Sequence, residues 1–148
     1  MITVERATLV DREILIDLMH RQFVDHEITY TAEILDSAIE EMLARDGLGI
    51  FLVAIENSQI IGFAVISFAW ALEHGGRSAW LDELYVLSEY RGRGVGSALV
   101  GKVIEAAKKA GCKAIDLEVE QAHHRAERLY ERKGFERLSR SRWVKPLS

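Results

Sequence analysis

The sequence predicts a mixed α/β fold, and three observations support this prediction. Apolar residues recur at strand spacing in some segments and at helical spacing in others. These segments do not alternate regularly, as they would in a doubly wound parallel sheet. A glycine-rich turn at residues 91–96 separates an apparent strand from an apparent helix. The expected order of elements is βααβββαβαββ, in a single domain over residues 1–148.

Local signals set the bounds of the elements in the first half of the chain. Apolar residues at helical spacing follow the capping residue Asp11, and Asp46-Gly47 ends a second helical segment. Glu56-Asn57-Ser58 is typical of a tight turn between paired strands. The expected elements are a strand at Ile2–Ala7, a helix from Asp11 to about Phe23 with apolar Ile14, Ile16, Leu18 and Met19, a helix at Thr31–Arg45, and strands at Leu48–Ile55 and Gln59–Leu72.

The second half continues with elements on either side of the glycine-rich turn. β-favouring residues precede the turn, helical spacing follows it, and Gly111 and Gly134 act as helix stops. The expected elements are a strand at about 79–87, a helix from Ser97 to Ala110, a strand at Lys113–Glu120, a helix marked by Ala122, Ala126, Leu129 and Tyr130, and a last strand pair at Phe135–Arg137 and Arg142–Val144.

The composition is typical of one globular domain in a reducing compartment. The 148 residues are 49% hydrophobic and 28% charged. The longest apolar run, Ile60–Leu72, is too short to span a bilayer, and the first residues lack a signal-peptide core. Cys112 is the only cysteine, and the histidines lack metal-ligand spacing. We therefore expect a cytoplasmic protein with no metal and with neither a membrane nor a nucleic-acid partner.

Charge is distributed unevenly along the chain. Residues 1–83 carry 5 Lys/Arg and 15 Asp/Glu, whereas residues 84–148 carry 14 and 8. The two halves therefore have net charges of −10 and +6 around an overall −4. A basic half suits a polyanionic ligand, and an acidic half would attract a cationic one.

The turn Arg91-Gly92-Arg93-Gly94-Val95-Gly96 has the chemistry of a diphosphate site. Glycines allow the backbone to approach an anion, the first helical N–H groups point at it, and arginines add charge-assisted hydrogen bonds. The turn has three other interpretations. The glycines could be turn residues only. A dinucleotide fingerprint would need glycine where Ser97 stands. A P-loop would need Ser or Thr where Val103 stands, and it is rejected.

A second motif lies after the next predicted strand. His123, Ala126, Leu129, Tyr130, Gly134 and Phe135 have the spacing of an Asn-x-x-Ala-x-x-Leu-Tyr helix followed by Gly-Phe. Together with the glycine-rich turn and the order of elements, this motif makes the whole chain resemble the GNAT superfamily of N-acetyltransferases. That resemblance implies a mostly antiparallel central sheet, splayed between strands 4 and 5 and flanked by helices. His123 departs from the usual Asn and places the family's side-chain contact to pantetheine in question.

The resemblance implies an acetyl-CoA site and assigns residues to it. Backbone groups of Leu84, Tyr85 and Val86 would pair with the pantetheine arm as an added strand. The turn would hold the diphosphate, and the second motif would contribute to the cofactor site. The implied cofactor-binding residues beyond the strand are Arg91, Gly92, Arg93, Gly94, Val95, Gly96, Ser97, His123 and Ala126.

The resemblance also implies catalytic roles. Tyr130 is the family's usual general acid, and a backbone N–H near Val86 would polarise the thioester carbonyl. Asp82 and Glu83, adjacent in one strand, are candidates for binding the acceptor amine, and Glu83 is favoured as the general base. Alternatively, both carboxylates are only solvated strand residues, and Tyr130 is only a core tyrosine.

The expected activity is transfer of an acetyl group from acetyl-CoA to a primary amine, on a small cationic molecule such as a polyamine or an amino acid. Two alternatives stay open: a protein lysine or N-terminal acetyltransferase, and a non-catalytic CoA-binding module. The sequence leaves the oligomeric state open between monomer and homodimer.

Overall fold

The structure, a computed structural model, describes residues 1–148. The backbone divides into two compact units, Met1–Glu118 and Val119–Ser148. In chain order the elements are β1 (Thr3–Arg6), α1 (Arg12–Asp25), α2 (Ala32–Ala44), β2 (Gly49–Glu56), β3 (Gln59–Ala71), β4 (Gly76–Val86), α3 (Val95–Lys109), β5 (Ile115–Asp116) and α4 (His124–Arg132). None of these helices is long and apolar enough to cross a membrane.

The first unit contains a five-stranded sheet in the order β1-β2-β3-β4-β5. All neighbours are antiparallel except β4 and β5, which are parallel. The turn between β2 and β3 consists of Asn57 and Ser58, both with positive φ (51° and 62°). Two-residue hairpin turns of this kind match the right-handed twist of the strands that they join. The predicted mixed α/β class with a mostly antiparallel sheet is confirmed.

The core of this unit lies between the sheet and the helices α1, α2 and α3. β2 is buried along most of its length and β3 in its middle, at Ile61–Ile66, where helices pack against the sheet. On α1 the buried positions are Leu15, Leu18, Met19 and Gln22, one helical stripe at spacings of three and four residues. Ile14, expected on the apolar face, is 43% exposed. Leu18 and Met19 are thus buried as predicted, whereas Leu15 takes the place expected for Ile14, and the last buried position, Gln22, is polar.

Two strand predictions are wrong. The strand expected at Lys113–Glu120 forms only at Ile115–Asp116, because it pairs with β4 at Ala79 and Trp80 and nowhere beyond. The last strand pair, Phe135–Arg137 and Arg142–Val144, does not form, and residues 135–148 have no regular secondary structure. Arginine and serine occupy most positions from 137 to 142, so this segment lacks the apolar alternation that gives a strand a buried face.

Candidate functional site

β4 has an open edge next to the place where β5 leaves it. The parallel pairing of β4 with β5 ends at Trp80↔Asp116, so residues 81–86 have no strand partner on that side. On the opposite side, β4 stays paired with β3 as far as Val86. The predicted splay between the fourth and fifth strands thus lies at residues 81–86.

The pairing of β4 with β3 determines which backbone groups face the open edge. The Leu87 N–H donates to the Ile61 carbonyl at 2.9 Å, so Leu87 forms a hydrogen-bonded pair with β3. Along an antiparallel pair, hydrogen-bonded and non-hydrogen-bonded positions alternate, so Tyr85 also bonds to β3. Leu84 and Val86 therefore direct their N–H and C=O groups away from β3 and to the open edge, and Tyr85 does not. At this edge the Val86 carbonyl accepts the Arg91 Nε–H.

The glycine-rich turn leads directly into α3. Gly92 and Gly94 adopt positive φ values of 78° and 85°, a conformation that glycine tolerates without strain. Gly94 is the N-cap of α3 and gives no side-chain cap, and the first turn of the helix holds no acidic residue. The N–H groups of Val95, Gly96 and Ser97 therefore point out of the helix start without intrahelical partners. This geometry is suited to an anion.

Both arginines of the turn already make contacts within the protein. The Arg91 Nε donates to the Val86 carbonyl at 2.8 Å, and its guanidinium lies 5.6 Å from the Tyr85 ring. An Arg93 terminal nitrogen contacts both carboxylate oxygens of Glu56, at 3.0 and 3.1 Å. The arginines thus hold the turn against β2 and β4. The backbone N–H groups at the start of α3 are therefore the main anion-binding groups of the turn.

The two adjacent carboxylates on β4 differ in environment. The register with β3 shifts between Val65 and Ile66, opposite Glu83 and Leu81, so Asp82 is the extra residue of a β-bulge. Asp82 is exposed and Glu83 is partly buried. Burial, followed by the charge of Asp82, raises the pKa of Glu83 from 4.5 to about 7. Glu83 therefore exchanges a proton near neutral pH.

The end of α1 completes this region with two residues that the sequence analysis did not select. Gln22 is 4% exposed, and its side chain hydrogen-bonds to the Glu83 carboxyl, which lowers the pKa of that group against the larger effect of burial. The Tyr85 hydroxyl donates to the Asp25 carboxylate at 3.1 Å. Gln22 could have been found in the sequence as the polar member of the stripe begun by Leu15, Leu18 and Met19.

The second unit holds the residues of the second motif. His123 is the N-cap of α4, and its Nδ1 accepts the Ala126 N–H at 3.2 Å. The imidazole thus performs the capping function for which Asn is among the preferred residues. An open cavity of about 450 Å³ lies at this end of the helix, lined by Glu120, Gln121, Ala122, His123, His124 and Arg125.

Tyr130 lies further along α4 and is partly buried. Its ring meets Phe135 edge to face, with the centroids 5.7 Å apart, and the Phe135 N–H donates to the Tyr130 carbonyl at 3.0 Å. Burial raises the pKa of the Tyr130 hydroxyl above its ordinary value. The hydroxyl therefore keeps its proton at neutral pH, as a proton donor must.

The residues singled out from the sequence thus fall into two groups. Asp82 through Ser97 lie on β4, the turn and the start of α3 in the first unit, and His123, Ala126 and Tyr130 lie on α4 in the second. Within the first group the structure provides free strand-edge amides, an anion-binding helix start and a carboxyl that titrates near pH 7. These are components for holding an extended amide-bearing chain with a phosphate group and for moving a proton.

Comparisons with known proteins agree with this description. The model of the acetyltransferase (GNAT) family matches residues 13–135. Thialysine N-epsilon-acetyltransferase of Mus musculus is 31% identical over 86 residues, covering 58% of this chain and 50% of that protein. Aminoalkylphosphonate N-acetyltransferase of Salmonella typhimurium is 27% identical over 141 residues, covering 88% of this chain and 91% of that protein.

Solved structures give the same fold. The crystal structure of a predicted acetyltransferase with acetyl-CoA from Clostridium acetobutylicum superimposes with a TM-score of 0.82 at 22% identity. The match covers 98% of this chain and 96% of that one. The chain spans half the length of the mouse relative, so what that whole protein does is a separate matter from what this chain does.

Proposed function

This chain belongs to the acetyltransferase (GNAT) family, and from that premise we propose that it transfers an acetyl group from acetyl-CoA to a primary amine of a small cationic molecule. The single observation that carries the proposed transfer to an amine is Glu83, a partly buried carboxyl beside the open edge of β4 with a pKa of about 7. A base of that strength is matched to removing a proton from an amine near neutral pH.

The cofactor site in this proposal uses the backbone more than the side chains. Acetyl-CoA supplies the activated acetyl group as a thioester. The N–H and C=O groups of Leu84 pair with the amides of the pantetheine arm along the open edge of β4, next to the Val86 carbonyl that Arg91 holds. The N–H groups from Arg93 to Ser97 receive the diphosphate, supported by the start of α3.

Three groups of this chain would serve the acetyl transfer. Glu83 accepts the proton that the amine must lose to become nucleophilic, since an amine with a pKa of about 10 is almost fully protonated at pH 7. The Val86 N–H donates to the carbonyl oxygen, where negative charge develops. Tyr130 donates its proton to the departing thiolate, and its raised pKa keeps that proton in place until then.

The acceptor is proposed from charge and from relatives. Residues 1–83 carry a net charge of −10, and Asp82 and Glu83 are adjacent at the open edge. Such a field favours a cation. The mouse and Salmonella relatives are named for thialysine and aminoalkylphosphonate substrates, both of which are small amines.

The test is a measurement of CoA release from acetyl-CoA with a panel of acceptors. The panel contains polyamines, free lysine, a zwitterionic amino acid of zero net charge, and peptides with a lysine or a free N-terminus. We expect the cationic small molecules to give the highest kcat/KM. Exclusive turnover of peptides would replace this proposal with a protein acetyltransferase. Binding of acetyl-CoA without turnover of any acceptor, unaltered by Tyr130→Phe, would replace it with a CoA-binding module.

A further inference from the structure

The last turn of α1 and the end of β4 contact each other through two matched pairs of side chains. Gln22 and Asp25 are three residues apart on α1 and so lie on one face of the helix. Glu83 and Tyr85 are two residues apart on β4 and so lie on one face of the strand. Tyr85 donates to Asp25 at 3.1 Å, and Gln22 hydrogen-bonds to Glu83. The helix end is therefore fixed over the carboxyl.

Gln22 is an unusual residue for its position. It is 4% exposed and occupies the fourth place of a stripe whose other members are leucine and methionine. Its carbonyl oxygen Oε1 is buried and has no hydrogen-bond partner. Buried amide oxygens are almost always paired, so an unpaired one at a core position needs an explanation, and a functional role is one.

Glu83 can supply a partner for this oxygen. An ionised carboxylate only accepts hydrogen bonds, whereas a protonated carboxyl carries one O–H donor. A glutamine amide offers both a donating NH2 and an accepting oxygen. Rotation of the amide about its last side-chain bond exchanges the two, so one glutamine can satisfy both forms of the carboxyl.

We propose that Gln22 is a positioning residue for Glu83, whose amide donates to the carboxylate before proton transfer and accepts from the carboxylic acid after it. The proposal rests on the proposed function in one respect, namely that Glu83 takes the proton of the acceptor amine. The proton moves from the amine nitrogen to a Glu83 oxygen. Gln22 gains and loses no proton, and only its hydrogen bond changes direction.

The pKa of Glu83 depends on the charged groups around it. Asp82 on the same strand raises its pKa. The neighbouring Tyr85 is surrounded by three charged groups. Asp25 on α1 raises the pKa of Tyr85, and Arg21 on α1 and Arg91 on the turn lower it. β3 presents Val65 opposite Glu83 and adds no charge. Gln22 is thus the neutral group in contact with the carboxyl, and its removal changes hydrogen bonding without changing net charge.

The test is the pH profile of kcat/KM in wild type and in Gln22→Met, which keeps a side chain of similar length but offers neither an amide donor nor an amide acceptor. Loss of the donor disfavours the carboxylate, so we expect the acid limb to move upward by about one pH unit. Met19→Leu, one turn earlier on the same buried stripe, is the matched packing control and should leave the limb in place. In a Glu83→Gln background, Gln22→Met should cause no further displacement.

A measurement on the unmodified side chain of Gln22 keeps the proposal testable if Gln22→Met fails to fold. The side-chain amide resonances of Gln22, followed by NMR through a pH titration of wild type, should move with the same midpoint as the Glu83 carboxyl. Glu83→Gln should abolish that movement. An amide that does not respond to the titration of Glu83, or an acid limb that Gln22→Met leaves in place, would overturn the proposal.

The two proposals fail in different ways. If Glu83→Gln leaves the acid limb of wild type intact, Glu83 is not the base, and the proposed function loses its proton acceptor even if the amide of Gln22 follows the titration. If Glu83→Gln removes the limb but Gln22→Met does not move it, the base is correct and the role of Gln22 is wrong.

Discussion

Glu83→Gln is expected to stabilise the folded chain at high pH, and the reason is the environment of the carboxyl. Glu83 has a pKa of about 7 in the folded chain, against 4.5 for an ordinary glutamate, because burial and Asp82 disfavour its charge. Glutamine has nearly the same size and no charge to desolvate. It also brings an NH2 group that can donate to the unpaired Gln22 Oε1.

The size of the effect follows from proton linkage. Below pH 4.5 the carboxyl is protonated in both folded and unfolded chains, so its raised pKa has no effect on stability. Between pH 4.5 and 7 the unfolded chain loses the proton first, and the free energy of unfolding falls as pH rises. At roughly 1.4 kcal/mol per pKa unit the full penalty is about 3 kcal/mol. Screening by solvent at this partly exposed site reduces it to about 2 kcal/mol.

The assay is urea unfolding of wild type and Glu83→Gln at pH 5 and pH 8. We expect an advantage of about 0.5 kcal/mol for the variant at pH 5 and of about 2 kcal/mol at pH 8. In thermal unfolding this corresponds to a gap of roughly 4–8 °C. Glu136→Gln, at an exposed position outside the sheet, controls for loss of a negative charge and should show no such gap. A wild type that gains stability relative to Glu83→Gln between pH 5 and pH 8 would refute the reasoning, because Glu83 would then be stabilised as an anion.

Three further predictions concern the cofactor, the general acid and the acceptor. Gly94→Asp should abolish the thermal stabilisation by acetyl-CoA. Gly94→Asn also tolerates the positive φ of this position but lacks the charge, so it should keep more of that stabilisation. Equal loss in both variants would assign the effect to sterics and not to charge. Tyr130→Phe should lower kcat by roughly 10²–10⁴-fold with nearly unchanged affinity for acetyl-CoA, and unchanged turnover would remove Tyr130 from the mechanism. For acceptors with a net positive charge, kcat/KM should fall between low salt and about 0.3 M ionic strength, while that of a zwitterionic amino acid should change less; equal salt sensitivity would argue against attraction by the acidic half.

The parts of the fold that the sequence predicted well are those specified by local signals. The helix α3 follows from apolar spacing, and the turn before it follows from glycines that the structure shows at positive φ. The hairpin between β2 and β3 follows from two residues that accept positive φ. Each of these signals acts within a few residues, so no knowledge of distant partners is needed to interpret it.

The errors occurred where pairing decides the outcome. The apolar alternation of Ile115, Leu117 and Val119 predicts a strand, yet only two residues there find a ladder on β4. A strand also needs a neighbour for its backbone, and the sequence of one segment does not contain that information. The strand pair predicted at Phe135–Arg137 and Arg142–Val144 also finds no ladder, and Trp143 and Val144 are exposed in the structure.

The sequence predicted the motifs of the candidate site, but it did not predict the contacts between distant residues. Glycine spacing located the turn, and adjacent acidic residues located the carboxylates, but Gln22 and Glu83 are 61 residues apart. A neutral polar residue in a helix usually lies at the surface, so Gln22 gave no signal on its own. The stripe Leu15, Leu18, Met19 places position 22 inside the protein, but the predicted apolar face of Ile14, Ile16, Leu18 and Met19 does not extend to it. A polar side chain at a core position of a helix is therefore worth examining for a buried partner.

The contacts that give Glu83 its chemistry also lower the stability of the fold. Burial of a carboxyl and an unpaired amide oxygen both disfavour the folded state at the pH where the proposed reaction runs. A leucine at position 22 would extend the apolar stripe of α1 and remove the unpaired oxygen, but it would leave Glu83 without a hydrogen-bond donor in its ionised form. Polar groups retained at such a cost are concentrated where function needs them. The pairing of Gln22 with Glu83 is thus better explained by proton exchange than by folding.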